Sequence, residues 1–234
     1  WLTPKGRVIA LFALARIAVD HLVLWLPDAD PSSVADGLQR FVFRRKVKAA
    51  AESRWVATAG APDELPRPSA PDRLGGDGAA GWVLDLGAPG EGRWLGLLPA
   101  GDPRLGPADP GATAAWLARD IALGLPRLGP GQAEAWTPQM LSLERLAAFS
   151  LKKGCYPGQE IVARTHYLGQ AKRGLVRLAG EGLAPGQAVA GESGPAGTIV
   201  CARDDGREAL AVLAAGLEGA LSAEGRPATR RDFD

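Results

Sequence analysis

From Arg173 onward the chain is cut into short apolar runs, at 175–178, 196–201 and 210–215, separated by turns such as Ala184-Pro185-Gly186 and Asp204-Asp205-Gly206. Runs of that length between Gly, Pro and Asp punctuation suit buried strands better than helices, so the C-terminal part reads as a small β-domain. Upstream the texture is mixed. A Pro/Gly-rich stretch carrying Pro62, Pro66, Pro68, Pro71, Gly75, Gly76 and Gly78 reads as loop, and hairpin-like apolar pairs alternate with helical periods. The boundary is expected near 169–172, giving parts 1–170 and 171–234 of an α+β chain.

Within the first part, Thr3-Pro4-Lys5-Gly6 is a turn by composition. The run 8–15 reads as a buried strand, with 22–26 as its hairpin partner. Asp30-Pro31 marks a helix start, an N-cap followed by proline at the first helical position, and Val34, Leu38, Phe41 and Val42 continue at helical spacing. Strands are expected at 47–51, 54–59, 82–86 and 93–98. A helix over 112–123 is closed by Gly124 with Pro126 beyond it. On that helix Ala114, Leu117 and Ile121 share one stripe, while Trp116, Asp120 and Leu123 lie on the opposite one. A short helix is expected over 143–149.

Charge and cysteine content narrow the function classes. With 27 basic and 26 acidic residues the net charge is +1, so no global field draws the chain to nucleic acid or anionic lipid, and any RNA connection is local or indirect. Two cysteines, Cys155 and Cys201, cannot build a disulfide framework or a metal-ligand spacing, which fits a cytoplasmic setting and no metal site. No apolar run approaches the roughly 20 residues of a membrane span. The start at Trp1 carries no signal peptide and suggests a natural N-terminal segment outside this sequence. Arg44-Arg45-Lys46-Val47-Lys48 reads as a solvated basic run at a helix end, where cations complement the dipole.

The chemistry-bearing segment is Lys152-Lys153-Gly154-Cys155-Tyr156-Pro157-Gly158-Gln159-Glu160. Pro157 is expected in the first turn of a helix carrying Ile161 and Val162. A helix start and neighbouring cations both favour a thiolate, and Gly154 and Gly158 permit sharp turns or close approach of a ligand. The opposing reading is a lone cysteine that packs as a small hydrophobe. A cysteine hydrolase would need a histidine, and only His21 and His166 exist. Lys152, Lys153, Arg164, Lys172 and Arg173 make a second basic neighbourhood, either a solvated face or a receiver for a folate's glutamate tail or an RNA phosphate.

Residues 153–160, continued by Ile161-Val162-Ala163-Arg164-Thr165, Gly169 and Lys172-Arg173, resemble the K-G-C-[FY]-x-G-Q-E motif of the YgfZ-type folate-binding proteins. Trp116-Leu117-Ala118-Arg119, Gly124-Leu125-Pro126 and Thr137-Pro138-Gln139-Met140 resemble that family's stretch before the motif. The resemblance implies a relative of the glycine-cleavage T-protein: an α+β folate-binding core around a central opening, then a C-terminal β-barrel. It further implies a tetrahydrofolate site to which Trp116 contributes, with Arg164 as a second candidate contact. Cys155 is then the candidate functional thiol and Lys153 its activating neighbour, in a loop shaped by Gly154, Tyr156, Gly158, Gln159 and Glu160. By the same resemblance the protein is an accessory factor rather than a classical enzyme, with iron–sulfur enzymes, including those that thiolate tRNA, as partners. The alternative is a tetrahydrofolate-dependent aminomethyl or one-carbon transferase.

Overall fold

The computed structural model describes residues 1–60, 62–68, 74–87, 93–169 and 171–234. Pro71 and Asp72 of the Pro/Gly stretch, and the turn at 88–92, lie outside the described residues. The chain forms two compact units, Phe12–Thr113 and a second made of Trp1–Leu11 with Ala114–Asp234.

The Phe12–Thr113 unit opens with a two-stranded antiparallel hairpin, β1 (Ala13–Ala18) and β2 (His21–Trp25), in which Leu14 faces Leu24 and Arg16 faces Leu22. The strand expected at 8–15 begins later than its apolar run. Val8 instead makes an isolated bridge to Leu2 across the Thr3–Arg7 turn. Helix α1 (Pro31–Gln39) starts as its sequence dictates, since the Asp30 carboxylate accepts from the Ser33 amide at 2.7 Å and Pro31 supplies no N–H that would need a partner. It stops at Gln39, before Phe41 and Val42, and carries no basic residue in its last turn. The run at 44–48 therefore lies beyond the helix rather than complementing its dipole.

A four-stranded antiparallel sheet of order β3-β6-β5-β4 follows, built from β3 (Trp55–Ala59), β4 (Leu74–Asp77), β5 (Gly81–Asp85) and β6 (Trp94–Pro99). β4 occupies glycine-rich sequence expected as loop. Gly75 can pair with Val83 only because it has no side chain, since a Cβ there would collide with the Pro66 carbonyl. The strand expected at 47–51 does not form, and those residues run without sheet partners.

Helix α2 (Pro110–Ala122) again starts on an Asp-Pro pair, the Asp109 carboxylate accepting from the Gly111 and Ala112 amides at 2.8 and 3.2 Å. It ends in a Schellman turn, with Leu125 N–H on the Asp120 carbonyl at 2.7 Å and Gly124 N–H on the Ile121 carbonyl at 3.0 Å. Gly124 takes the required positive φ of 66°. The helix expected over 143–149 is a series of turns, because Ser142 and Ala147 sit at φ 50° and 49°, which right-handed helix cannot contain. Helix α3 (Gln159–Leu168) leads into the barrel.

The barrel is closed in the order β10-β7-β12-β11-β8-β9, from β7 (Arg173–Gly180), β8 (Ala188–Gly191), β9 (Gly194–Ala202), β10 (Glu208–Ala214), β11 (Leu221–Ala223) and β12 (Arg226–Arg231). Alternation along β10 explains why its run is apolar throughout. Ala209, Ala211 and Leu213 join Leu178 and Ile199 in one core, while Leu210 and Val212 join Val8, Ile121, Leu141 and Val200 in another. Each buried Leu or Ile contributes roughly 1.5–3 kcal/mol. The barrel wall thus doubles as the floor on which α2 and the N-terminal turn pack. Cys201 belongs to that floor, buried with its sulfur 3.5 Å from the Arg127 amide.

Candidate functional site

The motif loop lies in the Trp1–Leu11/Ala114–Asp234 unit, between a run of turns and α3. α3 begins at Gln159 after Gly158, which occupies the N-cap position in left-handed conformation at φ 81° and offers no side-chain cap. Pro157 therefore precedes the helix rather than sitting in its first turn, and Cys155 stands outside the helix start. The reason is a backbone abutment. A Cβ on Gly158 would stand 2.5 Å from the Thr3 carbonyl and 2.7 Å from the Gly6 Cα, while one on Gly6 would meet the Ile161 side chain at 3.0 Å. Both positions also have positive φ, so both demand glycine. Gly154 differs, since a Cβ there would meet nothing within 4 Å, so crowding does not explain that glycine.

The turn that receives Gly158 is itself closed by bonds from Thr3 N–H to the Arg7 carbonyl (2.8 Å) and from Gly6 N–H to the Thr3 carbonyl (2.9 Å). Arg7 then reaches the Ala135 carbonyl at 2.7 Å. From the other side the Gln139 amide donates to the Val162 carbonyl at 3.0 Å, so Thr137-Pro138-Gln139-Met140 braces α3. These two braces were not apparent from the sequence. Gln139 appeared only as part of a resembling stretch, and Gly6 only as a turn residue.

Within the loop, Cys155 is exposed, and no described side chain hydrogen-bonds its thiol. Lys153 does not reach toward a carboxylate; its ammonium lies 4.7 Å from the centre of the Tyr156 ring, a cation–π pairing. The Tyr156 hydroxyl is buried without a hydrogen-bond partner among the described residues, and burial pushes the phenol up. The buried Tyr156 hydroxyl, one residue on from the exposed cysteine, is an unspent polar contact of the loop. Gln159 donates its amide to the Tyr156 carbonyl at 3.2 Å, and Glu160 places a negative charge in the first turn of α3, where the helix dipole favours it. His166 turns to Glu144, Nδ1 to Oε1 at 3.1 Å, and packs edge-on against Tyr167. Arg164 is exposed on α3.

Trp116 is half-buried on α2. Its helical neighbour one turn on is Asp120, on the stripe opposite Ile121. It is 2% exposed and pairs with Arg127 at 2.9 Å, so the last turn of α2 is buried on both sides. Arg145 completes that end by donating to the Leu123 and Gly124 carbonyls at 2.6 and 2.9 Å, its guanidinium stacked 4.4 Å from the Phe233 ring. The anchored C-terminal end of α2 fixes the direction in which its earlier turns, and Trp116 with them, project. Trp116 and the Cys155 loop share one compact unit, and the barrel floor carries α2.

In sequence the chain is similar to the tRNA-modifying protein YgfZ of Cronobacter sakazakii, 40% identical over 111 residues that make up 44% of this chain and 34% of that protein. The match thus spans about a third of the curated relative's length. In structure it is similar to the glycine cleavage system aminomethyltransferase T of Bartonella henselae, with a TM-score of 0.67 over 98% of this chain and 72% of that one, at 17% identity. No family model matches the chain. The T-protein likeness fixes the fold as α+β and T-protein-like with a closed six-stranded C-terminal barrel. No helix among the described residues is long and apolar enough to cross a membrane.

Proposed function

We propose that this protein binds a tetrahydrofolate derivative and acts as an accessory factor in assembly or repair of iron–sulfur enzymes, and through them in tRNA thiolation in the cytoplasm. The observation that carries the reading is the exposed Cys155 on the loop that leads into α3, whose start abuts the Thr3–Arg7 turn. The similarity to a protein named for tRNA modification supports the pathway, and the T-protein-like fold supports the folate.

The residues present fit such a ligand. Trp116 offers a half-buried indole against which a pterin or aminobenzoate ring can stack, and Arg164 an exposed guanidinium suited to a glutamate-tail carboxylate. The unpartnered Tyr156 hydroxyl supplies a hydrogen bond still to be made near the thiol. A bound tetrahydrofolate would supply one-carbon chemistry or a reducing ring, while the chain positions it and holds Cys155 open to a partner. A lone thiolate does not ligate a cluster, which calls for several, so cluster handling through Cys155 requires thiolates from a partner enzyme.

The test joins a folate titration followed by tryptophan fluorescence with rescue of iron–sulfur enzyme activity in cells lacking the native gene. Trp116→Ala should weaken folate binding at least tenfold and Cys155→Ala should abolish rescue. Normal rescue by Cys155→Ala would sink the thiol's role. The second reading, a folate-dependent aminomethyltransferase, is favoured by the structural neighbour's activity, and turnover of an aminomethyl donor would establish it in place of the first.

A further inference from the structure

The basic run of the Phe12–Thr113 unit has no part in the folate reading, and its surroundings are unusual. Phe41, Val42, Phe43, Arg44, Arg45 and Val47 line an open groove of about 860 Å³ just past the end of α1. Phe43 is 85% exposed and Phe41 54%, values far above those of packed phenylalanines. Arg44, Arg45, Lys46 and Lys48 are all exposed, and none forms an ion pair among the described residues. No acidic residue occurs between Asp36 and Glu52, and Glu52 is engaged by Arg54. In a chain whose net charge is +1, this is a concentrated local positive field with aromatic faces set into it.

The segment is also held in shape. Gln39, the last residue of α1, donates from its side chain to the Val47 carbonyl at 3.4 Å and accepts from the Ala49 amide at 3.0 Å, tying the far end of the basic run back to the helix. Further bonds from Phe41 N–H to the Leu38 carbonyl (3.0 Å) and from Val47 N–H to the Arg45 carbonyl (2.9 Å) order the turn. A pre-shaped loop loses little conformational freedom on binding. Four cations at such spacing match a phosphate backbone, and exposed rings beside them match unstacked bases, the combination that recognises single strands. A duplex keeps its bases stacked and an acidic peptide has no planar faces to stack, so neither uses both halves of the surface.

We propose that segment 41–48 docks single-stranded RNA, its cations tracking the phosphates and Phe43 stacking on an unpaired base. The choice of RNA over DNA rests on the tRNA-linked reading above; the rest stands on this surface alone.

The experiment is fluorescence anisotropy of the full 234-residue protein with a labelled 12-nucleotide single-stranded RNA, alongside the same sequence as DNA, as duplex RNA, and a labelled polyglutamate peptide. Four phosphate contacts give a slope of log affinity against log salt of about −3, and Arg45→Ser with Lys46→Ser should bring it near −1.5. Phe43→Ser should weaken RNA binding about tenfold with the slope unchanged, and its exposure means the fold should not suffer. Absence of RNA binding, binding of duplex or polyglutamate as tight as single-stranded RNA, or an unaffected Phe43→Ser variant overturns the proposal. Tighter binding of the DNA overturns the choice of RNA. Folate titration of the same variants should be unchanged, which separates failure here from failure of the folate reading.

Discussion

The closed barrel and the sheets of the Phe12–Thr113 unit solve the same problem with opposite results. In the barrel every strand has two neighbours, and Leu178, Ile199, Leu210 and Val212 are completely buried. In the other unit the β1–β2 hairpin pairs with no further strand and β3 and β4 are sheet edges. Of the eleven large apolar side chains that stand exposed among the described residues, eight lie in that unit, including Leu14, Val19 and Leu22 of the hairpin region and Phe41, Phe43 and Val47. The three others, Ile161, Tyr167 and Leu168, all sit on α3. Closure abolishes edges and consumes apolar surface internally, whereas open sheets leave it available to a partner. Rigidity has gathered where the chain needs a platform, and unspent surface where it is open to contact.

The contrast can be attacked at matched positions. A Cβ on Gly197 of β9 would overlap the Val212 carbonyl, and one on Gly75 of β4 would overlap the Pro66 carbonyl. Gly197 lies in a closed wall that cannot give, so Gly197→Ala should cost about 3 kcal/mol or more by denaturant unfolding. Gly75 lies on an edge strand paired on one side only, so Gly75→Ala, whose Cβ also meets backbone, should cost less, about 2 kcal/mol. Equal losses would erase the distinction. Next in size, Leu178→Ala in the barrel should lose about 3 kcal/mol, and Leu14→Ala, at a position 58% exposed, less than about 0.5 kcal/mol.

A smaller effect tests the helix start in the open unit. Asp30→Ala removes the acceptor of the Ser33 amide and should lower amide-exchange protection around α1 while leaving the barrel's protection unchanged. The smallest concerns acid. The Asp102 carboxyl is held at about 2 by the Arg104 side chain and then by the Arg104 amide. Its contribution is complete above the unfolded carboxylate range near about 4 and disappears as the pH falls through about 2. Asp102→Asn should therefore lower stability at neutral pH and remove that part of the acid-induced loss which falls between those values in the Phe12–Thr113 unit, as read by acid titration of its tryptophan signal.

What the sequence revealed follows the range of the interactions involved. Asp30-Pro31 announced a helix because capping is settled within four residues, and Gly124 announced a helix end for the same reason. The barrel runs were legible because a strand covered on both faces must be continuously apolar. β4 was not, since Gly75 and Gly76 are present for the approach of the Pro66 and Gly81 backbones, and a missing side chain reads as a turn. At the site, the motif around Cys155 stood out by its residue pattern, yet its position before rather than in α3 depends on Gly6, 152 residues upstream of Gly158. The burial of Asp120 likewise depends on Arg127, seven residues on, folding back over it.

The abutment of Gly6 on Gly158 also carries a consequence for biosynthesis. The turn at 3–7 is made before the surfaces it packs on, Ile161, Leu141 and the barrel wall, which follow the whole Phe12–Thr113 unit. At about 5–20 residues per second the fifty or so residues from Ala114 to the start of α3 take roughly 2–10 s more, during which Val8 lacks the core it joins. A nascent chain halted in that interval would have its open, groove-bearing unit complete and its cysteine loop not yet made. The groove is thus formed before the cysteine loop, which takes its shape only when the two separated pieces of its unit meet.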